Sequence, residues 1–87
     1  MIKLIKKNIS NGNTEKALEK AMLVFKRHKI PNNDIILLMN QFKSMTKDWL
    51  KGIIAHSYFY ENMTRINSAI LSLLDINKTE LKKTLSY

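Results

Sequence analysis

Residues 32–50 read NNDIILLMNQFKSMTKDWL, and the period of this stretch decides the fold class. Ile35, Leu38, Met39, Phe42, Met45 and Trp49 recur at helical spacing, which lines one face of an α-helix. A half-buried strand would alternate apolar and polar residues instead, and no period-two run of that kind occurs in the chain. Asn32 or Asn33 offers a side-chain oxygen to the unpaired N–H groups of the first turn, and Asp34 adds negative charge where the helix dipole favours it. Gly52 ends the helix. Lys43, Lys47 and Lys51 repeat every four residues and so form one charged ridge along it.

Upstream, Pro31 disfavours helical geometry at Ile30, so the preceding helix ends near Lys29. That helix carries Ala17, Leu18, Ala21, Val24 and Phe25 at helical spacing, with Asn13 or Thr14 as its capping residue and Glu15 in its first turn. Its basic run Lys26-Arg27-His28-Lys29 lies at the negative end of the dipole, which accounts for it electrostatically. Ahead of it, Ile2, Ile5 and Ile9 share a helical face, and Asn11-Gly12 suits a left-handed C-terminal cap.

Downstream, Ile53 to Ala55 form a short apolar connection. A fourth helix runs from about His56 to Leu74 with Phe59, Met63, Ile66, Ile70 and Leu73 on its core face. A last short helix, capped by Thr79 with Glu80 behind it, carries Leu81 and Leu85, while Lys78 and Lys82 make a second, shorter ridge. Two glycines and one proline in 87 residues leave little punctuation, which favours long helices. The expected architecture is all-α: a compact antiparallel bundle of four to five helices forming one domain over residues 1–87.

Composition narrows the function. A hydrophobic fraction of 45% and a charged fraction of 25% are those of an ordinary globular domain. The absence of cysteine excludes a disulfide framework, a thiolate zinc site and a cysteine nucleophile together. The longest apolar runs, Ala21 to Phe25 and Ile35 to Met39, fall far short of the roughly 20 residues a membrane-spanning helix needs. The start Met-Ile-Lys-Leu-Ile-Lys-Lys lacks the apolar block of a secretory signal. A soluble, cytoplasmic protein is expected.

The formal net charge of +8 invites a nucleic-acid or anionic-surface reading. Of 15 basic residues, however, 13 are lysine, and only Arg27 and Arg65 supply the bidentate group that base readout favours. Lysine, asparagine and isoleucine all use A/T-rich codons, so a biased genome raises the lysine count without a polyanionic partner.

Catalytic patterns are missing. Seven carboxylates are scattered, and only Glu15 and Glu19 stand at helical contact spacing. His28 and His56 fall near different helix ends with no metal-ligand spacing between them. Gly12 and Gly52 are too far apart for a phosphate-cradling loop, and no Gly-x-Ser-x-Gly elbow exists. The expectation is no enzyme, with no catalytic residue, no cofactor and no metal site.

What remains points to binding. The lysine ridge Lys43, Lys47, Lys51 reads either as a docking face for an acidic partner or phosphate backbone, or as the solvated side of an amphipathic helix. Trp49 and Phe59 continue core stripes, whereas Tyr58 and Tyr60 flank Phe59 as candidates for exposed contacts. Arg65 and Asn67 bracket Ile66 in the middle of the fourth helix. Asn67 is placed to fasten a neighbouring loop and Arg65 to cap an adjacent helix end, or either lies at a partner surface. The candidate partner-binding residues are thus Lys43, Lys47, Lys51, Tyr58, Arg65 and Asn67.

The stretch from Gly52 to Asp75 carries Gly52-Ile53-Ile54 and then Arg65-Ile66-Asn67-Ser68-Ala69-Ile70-Leu71-Ser72-Leu73-Leu74-Asp75. It resembles the C-terminal half of a bacterial effector-associated domain family, type eleven, whose pattern is a glycine, apolar residues, a capping residue, a charged turn and Arg-Ile-Asn before an apolar run. More loosely, Ile5 through Gly12 and Thr14-Glu15-Lys16-Ala17-Leu18 resemble the family's opening, so the likeness covers about residues 2 to 75. Ala55 stands where the family tends to have serine, Ser57 where an acid is usual, and Gln41 where an arginine is common.

The resemblance implies a death-domain-like adaptor of bacterial conflict systems. Such a module associates with like domains and brings together effectors such as proteases, nucleases or TIR proteins, often with NTPase sensors. The expected function is accordingly a protein–protein adaptor coupling sensor and effector proteins through homotypic or paired-domain association. Its expected partners are like domains or a second copy, without a small-molecule substrate. The alternative is a small basic helical nucleic-acid binder using the lysine ridges.

Overall fold

Five helices make up the computed structural model, which describes residues 1–82: α1 (Ile2–Ser10), α2 (Thr14–Arg27), α3 (Asn33–Leu50), α4 (His56–Ile76) and α5 (Lys78–Lys82). No strand occurs among the described residues. The all-α bundle expected from periodicity is therefore the observed fold. Consecutive helices touch across the short connections 11–13, 28–32 and 51–55, and α4 reaches all four other helices.

Three helices end in the same way. In the Schellman arrangement the chain turns left-handed just past the helix, and two backbone N–H groups reach back to the last carbonyls. After α1, Gly12 has φ +77°, and the Asn13 and Gly12 N–H groups donate to the Asn8 and Ile9 carbonyls at 2.8 and 3.1 Å. After α3, Gly52 has φ +73°, with Ile53 and Gly52 donating to Asp48 and Trp49 at 2.9 and 3.0 Å. After α2 the same bonds run from Ile30 to Phe25 and from Lys29 to Lys26, at 2.8 and 3.1 Å. There the left-handed residue is Lys29, with φ +57°. A side chain in this region costs roughly 1–2 kcal/mol because Cβ crowds the following carbonyl. The helix stops at Arg27, two residues before the position Pro31 implies, because this cap closes first.

The core is a single cluster in which Ile5, Leu18, Phe25, Ile35, Ile66 and Ile70 are almost wholly enclosed. The α3 stripe lies as its spacing predicts, with Trp49 only partly covered at the end of the row. On α4 the enclosed residues are Phe59, Ile66, Ile70 and Leu74, while Met63 and Leu73 are only partly covered. The expected face is thus displaced from Leu73 to Leu74. Steps of four residues exceed the 3.6-residue turn, so the stripe drifts around a helix as long as α4. Asn8 is also buried on α1, its side-chain N–H donating to the Leu4 carbonyl at 3.0 Å.

The capping expectations are corrected. Asn13 and Asn32 precede α2 and α3, but neither side chain makes a capping bond. Thr14 is the first helical residue of α2, and its hydroxyl is directed inward instead. Ala55 precedes α4 with no side chain able to cap. The last helix begins at Lys78, one residue before Thr79, because only Asn77 separates it from α4. The Asn77 backbone N–H and side-chain N–H both donate to the Leu73 carbonyl, at 3.1 and 2.9 Å. Leu81 joins the core, whereas Leu85 lies outside the described residues.

Candidate interaction site

Helix α3 runs between two recesses of different chemistry. Its core stripe faces inward, so residues on its two flanks meet different neighbours. One flank, toward α4, forms a groove of roughly 510 Å3 floored by Met45, Ile54 and Ile66. Asn40, Gln41, Ser44 and Asp48 of α3 form one wall, and Tyr58, Asn62 and Arg65 of α4 form the other. The other flank, toward the start of α2, is a recess of roughly 460 Å3 where Phe42, Thr46 and Leu50 meet Lys43, Lys47, Lys51 and Glu15.

The groove wall on α4 is organised by Asn62. Its side-chain N–H donates to the Tyr58 carbonyl at 2.8 Å, one turn back on the helix. Its side-chain oxygen accepts from the Arg65 Nη2 at 3.2 Å. Amide and guanidinium are thereby held along the rim with the exposed Tyr58 beside them. Arg65 does not cap an adjacent helix, since the partner it finds is on its own helix. Thr64 likewise bonds locally, donating to the Tyr60 carbonyl at 3.0 Å. Asn62 was not singled out by sequence, although its spacing from Tyr58 and Arg65, four residues on and three residues back, is a contact spacing on a helix.

Asn67 does fasten a neighbouring element, but that element is the first turn of α2. The Thr14 hydroxyl donates to its side-chain oxygen at 2.8 Å across 53 positions of sequence. Thr14 is only 1% exposed, so this bond satisfies a hydroxyl that water cannot reach. Asn67 is half-buried, which separates it from the exposed Arg65 two residues earlier.

Lys43, Lys47 and Lys51 are all exposed on the second flank. Elsewhere on the surface Lys78 pairs with Asp75 at 4.0 Å. Each flank also holds one enclosed side-chain oxygen without a hydrogen-bond partner, that of Gln41 beside the groove and that of Thr46 beneath the lysines.

Where α3 meets α4, Trp49 stacks on Phe59 with ring centroids 4.3 Å apart and planes 14° from parallel. His56 adds a tilted contact to Trp49 at 5.6 Å and an edge contact to Tyr60 at 4.5 Å. These contacts brace the corner beside both flanks and leave Tyr58 outside the stack. Among the described residues no three His, Cys, Asp or Glu side chains gather into a metal-holding group.

Comparison with protein-family models matches residues 1–78 to effector-associated domain 11. The chain belongs to the effector-associated domain 11 family. Comparison with curated proteins and with solved structures gives no match. The family match spans α1 to α4, so both flanks of α3 lie inside it. Within this effector-associated domain the Arg65-Ile66-Asn67 run places three successive side chains in three settings: groove rim, core and the α2 anchor. No helix of the domain among its described residues is long and apolar enough to cross a membrane.

Proposed function

We propose that this effector-associated domain is a non-catalytic cytoplasmic adaptor that brings sensor and effector proteins together in bacterial conflict signalling by pairing with like domains. A death-domain-like arrangement of the helices is part of this proposal. Family membership supports the adaptor role, and the α3–α4 groove supports the pairing.

The observation that carries the reading is the charge balance of that groove. The chain as a whole bears +8, so two copies repel wherever lysine meets lysine. The groove presents one acid, Asp48, and one base, Arg65, among uncharged Asn40, Gln41, Ser44 and Asn62. In a two-fold pairing every contact occurs twice, so the pairing we propose sets Arg65 of each copy against Asp48 of the other. Exposed Tyr58 adds a rigid aromatic contact of the kind that concentrates binding energy.

The test is mass by light scattering across a concentration series, at low and physiological salt. The wild-type chain is expected to grow in mass with concentration, and Asp48→Lys and Arg65→Glu each to remain monomeric with unchanged helicity. Mixing the two variants restores pairing, because each then offers the charge the other lacks. Single variants that associate like wild type remove the groove from the reading. A wild-type chain that stays monomeric throughout moves the partner to a different protein.

A second reading, a basic nucleic-acid binder, draws on the unpaired lysines of the other flank. Its binding would fall steeply with salt, because added salt lowers the gain from releasing counterions condensed on the phosphates.

A further inference from the structure

We propose that the lysine flank of α3 is a second docking surface, and that it takes an acidic amphipathic helix from another protein. The proposal is independent of pairing through the groove.

Two parallel rows carry it. Phe42, Thr46 and Leu50 stand four residues apart and make a largely apolar row along α3. Lys43, Lys47 and Lys51 stand at the same interval immediately beside it. Side chains four apart lie one above another on a helix, so each row is continuous over about 12 Å. A partner helix with leucines in one row and carboxylates in the next has the same repeat and the opposite charge.

Helix stabilisation explains only part of this arrangement. Lys47 and Lys51 stand near the C-terminus of α3, where a cation suits the dipole. Lys43 stands two turns before the end, beyond the reach of that effect. Leu50 is 74% exposed among the lysines, where neither the dipole nor solubility calls for an apolar side chain. Phe42, at 8% exposure, closes the inner end of the row as a floor. An exposed leucine beside an apolar floor, ringed by cations, offers apolar area to the apolar face of a docking helix, with electrostatic steering around it.

The occupant follows from the charges. A second copy is a poor fit, because the carboxylate pair Glu15 and Glu19 is interleaved with Lys16 and Lys20. A phosphate backbone would use the lysines but leave Leu50 and Phe42 without a counterpart, whereas Glu15 on the rim opposes any anionic partner alike. An acidic helix with a leucine row uses every group except Glu15. With the groove on the opposite flank, one domain then holds two partners at once, which is what coupling requires.

The probe is a fluorescein-labelled synthetic helix with Glu and Leu each repeated every four residues, titrated with the full chain by anisotropy at 50 and 150 mM NaCl. Matched peptides with Leu→Ala or Glu→Gln and a labelled DNA duplex are run beside it. Replacing either row of the peptide is expected to weaken binding by about tenfold or more, equivalent to about 1.4 kcal/mol. Lys47→Glu and Leu50→Asp in the protein should each do the same, with helicity unchanged by circular dichroism, while Arg65→Glu leaves the peptide affinity unchanged. Absence of peptide binding overturns the proposal. Equal binding of the Leu and Ala peptides overturns it in favour of a generic polyanion site. Preferential binding of the duplex that ignores Leu50→Asp overturns it in favour of nucleic acid. Self-association of Leu50→Asp, read by light scattering, reports on the groove separately, so either idea can fail alone.

Discussion

The two flanks of α3 belong to one helix and one amphipathic pattern, yet they differ in every property that matters for binding. The α4 side is nearly neutral, with polar walls and an arginine held by Asn62. The α2 side has unpaired lysines and an exposed leucine. The difference comes from the neighbouring helices, not from α3 itself. Helix α4 brings Tyr58, Asn62 and Arg65 to one flank, whereas the start of α2 brings only Glu15 to the other. A helix period fixes which side is buried, and the partners of that side decide what its two edges can do.

The largest effect should erase the difference by loosening the core that carries both flanks. Phe59 is buried and stacks on Trp49, joining α4 to α3. Phe59→Ala should cost about 3–5 kcal/mol, from lost burial and the cavity left behind. Domains of this size have roughly 5–15 kcal/mol in total, so the loss is a large fraction. Thermal unfolding followed by circular dichroism should show a midpoint lower by about 12 °C or more. A shift of only a few degrees would mean that the stack contributes little to the packing of α4 on α3.

Asn67→Ala should separate the flanks and not erase them. It leaves the Thr14 hydroxyl buried without its acceptor, at a cost of about 1–3 kcal/mol. Thr14 begins α2 immediately before Glu15, so the loss loosens the lysine flank. The Asn62–Arg65 contact on the groove is untouched. Hydrogen exchange should accelerate in the first turn of α2 and stay unchanged around Asn62. In the Thr14→Val background the same Asn67→Ala change should cost less, because no hydroxyl remains to be orphaned.

How much of this was legible in the sequence depends on whether the cause is local. The α3 stripe, the glycine caps at Gly12 and Gly52, and the family likeness at Arg65-Ile66-Asn67 are local, and all were readable. The Thr14–Asn67 bond spans most of the fold: the sequence marks Asn67 as a residue that fastens a neighbouring loop, but nothing near either residue names Thr14 as its partner. Thr14 read as a capping residue because capping is what a threonine before an Ala-Leu helix usually does. Tertiary burial claimed the hydroxyl first. The lysine ridge was visible as spacing, but the row of Phe42, Thr46 and Leu50 beside it gained meaning only once α2 left Leu50 uncovered.

Lys29 was hidden for another reason. A left-handed cap normally advertises itself as glycine, and α2 uses the same backbone bonds without one. Lys29→Gly should therefore stabilise the domain. Relief of the strained backbone is partly offset by the greater freedom of glycine in the unfolded chain, leaving a gain of about 0.5–1 kcal/mol. Gly52→Ala should move the other way by a similar amount, since φ +73° is strained for alanine although no neighbouring atom blocks its Cβ. Denaturant midpoints of the two variants should fall on opposite sides of wild type.

The finest test asks what the buried oxygens at the two flanks contribute. Thr46 lies beneath the lysine rows with its hydroxyl enclosed and unpaired. Valine has nearly the same shape and similar helix propensity, so Thr46→Val removes the desolvation penalty and little else. The expected gain is about 1 kcal/mol in urea unfolding, with the slope of the transition unchanged. The substitution does not alter Lys43, Lys47, Lys51 or the exposed part of Leu50, so affinity for the acidic helical peptide should hold. A gain in stability with affinity intact assigns the Thr46 hydroxyl to the interior and binding to the lysines and Leu50. A loss of affinity would mean that the hydroxyl becomes reachable when the partner docks, and the lysine flank would then be a surface that opens on binding, unlike the groove across the helix.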